Sequence, residues 1–353
     1  MTSPPITQIL PPPQTTVAPA EPPRRSAWGR FIASPWASFL LRRAISLVAM
    51  FFALLIVAFL IVQLIPGDPA VAIAGSNATT VEIEALRTSL GLDLPLWQQF
   101  VGFVGGVFTG DLGTSFMYGQ PVATIIQSRV PFTLALAAAA IVLSLVIAVP
   151  LGIVVGVATR AGNRSWLDAT FGAVTGFIDS VPGYIMATVL VVLFGYGVGV
   201  LEIVPPAFSA RMPVASYVLP VVALAIGPVC TVARVVRREM NVVLEQDYMR
   251  TARGWRLPAA RRYLGWALPN LLTSTLTLSG LVLTGMVGGA IIIETVFAIP
   301  GLGTGIIRAI LDRDYPVIQG LVLVIGMMAA LVNLLVDVIL GIADPRTLGG
   351  HHE

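Results

Sequence analysis

Six apolar stretches constrain this chain more than any other feature. Each approaches the roughly 20 residues that a helix needs to cross a bilayer core. They run at about 44–65, 132–158, 168–195, 216–236, 270–293 and 317–341. In lipid, backbone N–H and C=O groups must be bonded within the protein, so each stretch is forced to be helical. The 353 residues are 56% hydrophobic and only 11% charged, with a mean hydropathy of +0.88. A soluble domain needs a much larger charged shell than this. The expected fold class is an all-α polytopic membrane protein, a bundle of six transmembrane helices with an external helical insert.

Several chemistries are excluded by what the chain lacks. All 21 basic residues are Arg and none is Lys. A GxxxxGK[ST] phosphate loop and a Schiff-base lysine are therefore impossible. The histidines are His351 and His352, at the very end, so neither a zinc site nor a Ser-His-Asp triad can be built in the body. The single cysteine, Cys230, stands in an apolar run and reads as a small buried hydrophobe. No catalytic residue, metal site or cofactor is expected in this chain.

The chain divides into a Pro-rich tail at 1–35, a membrane domain at 36–346 and a short tail at 347–353. The first tail is polar and aperiodic, so it is expected to be disordered. It lacks the charged start and apolar run of a signal peptide, and no cleavage is expected. Arginine placement sets the orientation. If the N-terminus is inside, the inner segments hold Arg24, Arg25, Arg30, Arg42, Arg43, Arg160, Arg164, eight arginines between Arg234 and Arg262, and Arg346. The outer segments hold only Arg87, Arg129, Arg211, Arg308 and Arg313. Both termini and the arginine-dense break at 237–269 are thus expected in the cytoplasm. That break reads as two short helices interrupted at Gly254 and Pro258. It is either a clamp on anionic lipid or a socket for a soluble partner.

The outer segment 66–130 reads as an ordered, net acidic insert. An amphipathic helix is expected at 81–91, with Gly91 as its C-cap. A second apolar patch surrounds Trp97, Phe100, Phe103 and Phe108. Within the spans, Asp179 is an intramembrane carboxylate beside Pro182 and Gly183, hence a functional candidate at a kink. Thr273, Thr277 and Thr284 share one helix face with Gly280. They either line a solute path or pack closely, as Gly152/Gly156 and Gly172/Gly176 are expected to do. Glu294 is expected to anchor the outer loop that it begins.

Arg250-Thr251-Ala252-Arg253-Gly254-Trp255-Arg256 is followed after nine residues by Trp266-Ala267-Leu268-Pro269. This resembles the cytoplasmic signature of binding-protein-dependent ABC importer permeases, an E-A-A, a glycine four residues on, then nine residues to I-x-L-P. Arg256 stands at the glycine place, and Gly254 is expected to supply the turn instead. Pro66-Gly67-Asp68-Pro69, Gly110-Asp111-Leu112-Gly113-Thr114-Ser115, Pro121-Val122 through Leu134, Glu294-Thr295-Val296-Phe297, Pro300-Gly301-Leu302-Gly303, Asp314-Tyr315-Pro316-Val317 and Asp344-Pro345-Arg346 resemble the "B" permease of the dipeptide/oligopeptide/nickel family. The resemblance covers about 40–346 in order.

The resemblance implies a translocation subunit of an ATP-driven importer in a bacterial plasma membrane, importing peptides or similar small solutes. It implies a second homologous permease, two ATP-binding subunits that hold ATP and Mg, and an extracytoplasmic solute-binding protein. Arg250, Thr251, Ala252, Arg253, Gly254, Arg256 and Leu257 would couple to the ATPase, and Asp179, Thr273, Thr277 and Thr284 would line the path. Nickel and glutathione are alternative solutes. A secondary transporter or a membrane scaffold are alternatives of other classes.

Overall fold

The computed structural model describes residues 35–64, 68–75, 78–162, 164–197 and 200–343, and no side chain at 272–278. Pro66-Gly67, Asp344-Pro345-Arg346, both terminal tails and the side chains of Thr273 and Thr277 therefore lie outside the described residues. Those described form helices, two isolated β-bridges and connecting turns.

Four helices are long and apolar enough to cross a membrane. They are α1 (Pro35–Leu64), α5 (Val122–Ala158), α8 (Pro213–Glu245) and α12 (Tyr315–Ala343). Helices α6 (Ser165–Ser180) and α7 (Gly183–Phe194) pass the same test only together and are bent by 97°, which makes them a broken span or a re-entrant pair. The break falls at Val181-Pro182. A proline cannot donate to the preceding turn, and the residue before it is pushed to extended geometry; Val181 has φ −82° and ψ 122°. The last long helix is α10 (Leu268–Val296), 29 residues. Between them lie α2 (Pro69–Ala74), α3 (Thr80–Ser89), α4 (Leu96–Thr109), α9 (Asp247–Gly254) and α11 (Leu302–Leu311).

The core is built by α5, α8 and α10, while α1 and α12 pair at the side. Glycines let α5 and α8 approach closely. A Cβ on Gly152 would stand 2.6 Å from Val236 Cβ, and one on Gly156 would stand 2.9 Å from Met240 Cβ. Gly172 and Gly176 differ from expectation, since nothing lies within 4 Å of a Cβ built on either. They sit on a face of α6 that this chain leaves open. Arg43 of α1 and Asp337 of α12 form a 2.7 Å ion pair.

Membrane limits and helix limits do not coincide. The fourth apolar stretch ends near 236, but α8 runs on to Glu245, so Arg234, Arg237 and Arg238 are on the helix rather than in a loop. Hydropathy marks where lipid stops, whereas a helix ends only when its backbone does. Likewise the second expected short helix is not separate. Residues Arg261–Ala267 form a π-helical turn that leads directly into α10.

The described residues between α1 and α5 form three helices, α2, α3 and α4. In α3 a capping box joins Thr79 and Glu82, and Gly91 takes φ +67° just beyond its end. Asp68 caps α2, accepting from Ala70 N at 2.9 Å, and also pairs with Arg87 of α3. The aromatic patch has a use that the sequence did not show. Helix α4 lies antiparallel along α1, with Phe100 at 5.3 Å and Phe103 at 6.4 Å from Phe59, and Phe108 at 5.9 Å from Phe51.

Candidate functional site

A cavity of about 540 Å³ opens at the bend between α6 and α7. Its wall is mostly apolar, from Ala223 and Leu224 on α8 to Val282, Met286 and Ile293 on α10. Asp179, in the last turn of α6, also lines it. Oδ2 of Asp179 accepts from Arg234 Nη2 at 2.6 Å, and Oδ1 accepts from Thr231 Oγ1 at 2.9 Å. One turn of α8 thus carries both partners, because residues three apart share a helix face. A second pair, Asp168 with Arg237, joins the same two helices.

Thr284 is not part of the cavity wall. Its hydroxyl donates to Gly280 O at 3.0 Å and reaches Asn333 Oδ1 of α12 at 3.5 Å. Gly280 itself is pressed against Val336, where a Cβ would overlap. This face of α10 packs on α12. The face that lines the cavity carries Val282, Gly285 and Gly289. Of the two readings of the stripe, close packing holds at 280 and 284.

The arginine-dense hairpin ends α9 with a turn that corrects one expectation. Gly254 is an ordinary helical residue and leaves the turn to Arg256, at φ +53°. Arg256 N–H donates to Arg253 O at 2.9 Å, and Leu257 N–H donates to Ala252 O at 3.4 Å. This pair of bonds is a Schellman motif, whose left-handed position normally favours glycine. Arg256 therefore takes the left-handed position of the motif without being glycine.

Within α9, Met249 and Ala252 are fully buried. Ala252 is thereby enclosed by this chain, so its methyl is not free to meet a partner. Arg250, Thr251, Gly254 and Arg256 are exposed, and Arg253 and Leu257 are half-buried. Trp255 is 66% exposed and sits edge-on to Trp266. The motif comparison passed over Trp255; an aromatic among arginines was the signal available. Burial lowers the pKa of Arg253, and Arg160, Arg262 and Arg250 add like-charge repulsion. Arg253 Nη1 and Arg262 Nε are buried without a hydrogen-bond partner among the described residues.

Two latches hold the end of the bundle that carries α11 and the start of α12. Glu294 of α10, fully buried, accepts from Thr133 Oγ1 at 2.6 Å and from Gly303 N at 2.7 Å. Leu302 N donates to Thr133 Oγ1 at 2.9 Å. A Cβ on Gly301 would overlap the Glu294 carboxylate, so the Pro-Gly-Leu-Gly turn needs its first glycine for this approach. Asp314, at the start of α12, accepts from Ser115 Oγ and from Phe116 N at 3.1 Å. It ties the insert to the bundle.

The bundle thus combines helices of membrane-spanning length, a bent helix pair beside a cavity and an arginine-rich hairpin. Residues 148–349 match the family described as binding-protein-dependent transport system inner membrane component, and residues 36–137 match the N-terminal part of such membrane components. The chain belongs to this family, the permease subunits of ABC importers. A Brucella abortus (strain 2308) chain named as a peptide transport system permease protein is 37% identical over 312 residues, covering 88% of this chain and 98% of its own length. The dipeptide transport system permease proteins DppB of Lactococcus lactis and of Escherichia coli K12 are each 33% identical, covering 87% of this chain and 98% of their own.

Proposed function

We propose that this chain is the translocation subunit of an importer for di- or oligopeptides, driven by ATP that partner subunits hydrolyse. The observation that carries the reading is the cavity at the bend, lined by α6, α7, α8 and α10 of this chain. Irregular backbone is tolerated at membrane depth where it lines such a cavity. The names of the relatives support peptides as the solute; nickel and glutathione are the alternatives. The absence of lysine leaves no phosphate loop here, so two ATP-binding subunits would hold ATP and Mg. Six spans, with α10 as the fifth in order, form half a pathway and call for a second permease.

Arginine placement supports both termini and the hairpin lying in the cytoplasm of a bacterium. Arg250, Thr251, Arg253, Gly254, Arg256 and Leu257, together with Trp255, would form the ATPase contact. Ala252 would support that contact from within. The exposed Arg250 and Arg256 favour an acidic surface opposite. Asp179 would face the solute; Thr273 and Thr277 remain proposed path residues by position. The insert at 66–130 would meet the solute-binding protein.

The test is ATP-driven uptake of labelled peptides by the reconstituted complex, with and without Trp255→Glu. Uptake that needs no ATPase subunit would overturn the importer reading. Unchanged ATPase stimulation in the variant would overturn the assignment of the hairpin.

A further inference from the structure

The charged pair at the bend is out of keeping with its surroundings. Asp179 is the one carboxylate among the described residues that line a mostly apolar cavity, and a carboxylate in such a wall is costly unless it is paired or used. The Arg234–Asp179 pair is held by a single N–H bond at 2.6 Å, not by a two-toothed fork. Arg234 Nη1 is buried without a hydrogen-bond partner. The two side chains keep 31% and 35% exposure, so a small group in the cavity can reach the carboxylate.

Asp179 also stands where α6 stops. The last carbonyls of a helix have no partner within it, and they carry the negative end of its dipole. Here Ile178, Asp179 and Ser180 of that last turn line the cavity, and Ile178 O already accepts from Val181 N. An ammonium group has three N–H donors and one positive charge, which matches the Asp179 carboxylate. Arg234 Nη2 donates to Asp179 and, at 3.4 Å, to Thr231 Oγ1, so its hold on the carboxylate itself is one replaceable bond.

We propose that Asp179, at the C-terminal end of α6, forms a transit site for the α-ammonium of a peptide, which displaces Arg234 as the solute passes the bend. This rests on the peptide reading above. The released guanidinium then faces the solute carboxylate, so no charge is left uncompensated on the way.

The test uses the complete membrane complex in nanodiscs without its binding protein, so that selection upstream does not enter. Trialanine and N-acetyl-trialanine are compared by saturation-transfer NMR. Wild type should bind the free amine roughly tenfold better than the acetylated form, which corresponds to about 1.4 kcal/mol. Asp179→Asn should erase the preference, and Asp179→Glu should retain it. Arg234→Gln should strengthen trialanine binding, because it removes the competitor. A merely structural pair would instead make Arg234→Gln and Asp179→Asn equally harmful. Equal binding of the two peptides by wild type, or a preference that survives in Asp179→Asn, would overturn the inference while leaving the peptide reading standing. Failure of wild type with its binding protein to import any peptide would sink both.

Discussion

Thr133 of α5 and Glu294 of α10 meet at 2.6 Å, although 161 residues separate them in sequence. The carboxylate is fully buried and also holds the Gly303 N–H. One side chain therefore ties α5 to α10 and to the turn into α11.

Glu294→Ala strands the Thr133 hydroxyl and the Gly303 N–H. A buried group left unsatisfied costs about 1–3 kcal/mol, so the loss should be about 3 kcal/mol or more. Glu294→Gln keeps the shape and should lose less. Thermal unfolding of the purified complex measures both, and an unshifted midpoint in the alanine variant would refute the latch.

At Arg256 the left-handed turn is occupied by a residue with a Cβ, at φ +53°. For such a residue this conformation costs roughly 1–2 kcal/mol, of which glycine's own chain entropy takes back about 0.5–1 kcal/mol. Arg256→Gly should thus leave α9 as stable or up to ~1 kcal/mol more stable, while Arg256→Val should weaken it. Hydrogen exchange across 247–257 reads the difference, and greater protection in the valine variant would contradict it.

Gly152 and Gly172 should respond oppositely to the same change. Gly152→Leu drives a side chain into Val236 and the Ala233 carbonyl, and overpacking of this kind costs about 1–3 kcal/mol or more. Gly172→Leu meets nothing in this chain and should leave its stability unchanged. Equal losses at both positions would show that the open face of α6 is packed by something else.

The insert should hold in mild acid. The Arg87 side-chain hydrogen bond is the largest influence holding the Asp68 carboxyl below its ordinary value, and the Thr79 backbone N–H does the same for Glu82. A lowered folded pKa gives stability that is present above the unfolded value and is lost as pH falls through the folded one. Exchange protection of α2 and α3 should therefore persist from pH 7 to about 4 and fall only below the ordinary carboxylate range near 4. Loss of protection between pH 7 and 5 would rule out both contacts as the anchor.

Much of this molecule is legible along the chain because lipid enforces it. The long apolar runs dictate helices, since no water is available to their backbones. Pro182 marks the break in the third span, and Thr79, Glu82 and Gly91 mark the ends of α3. The absence of lysine and the arginine hairpin are facts of composition. What failed was local where a residue's neighbours are distant. Gly254 offered a flexible turn, yet the turn fell to Arg256 because the hydrogen bonds to Ala252 and Arg253 close there. Ala252 matched a motif, but packing against the chain's own core enclosed it.

The sequence by itself determined the helices, their breaks and the family, because those follow from transfer of backbone and side chains into lipid and from spacing along one chain. Only the tertiary structure decided which partner each charge takes. Asp179 reads as a bare intramembrane carboxylate until α8 brings Arg234 and Thr231 to it. Thr284 reads equally as a path residue or a packing residue until α12 brings Asn333 to its hydroxyl. Ion pairing and close packing depend on distances between helices, and those distances are set when the bundle closes.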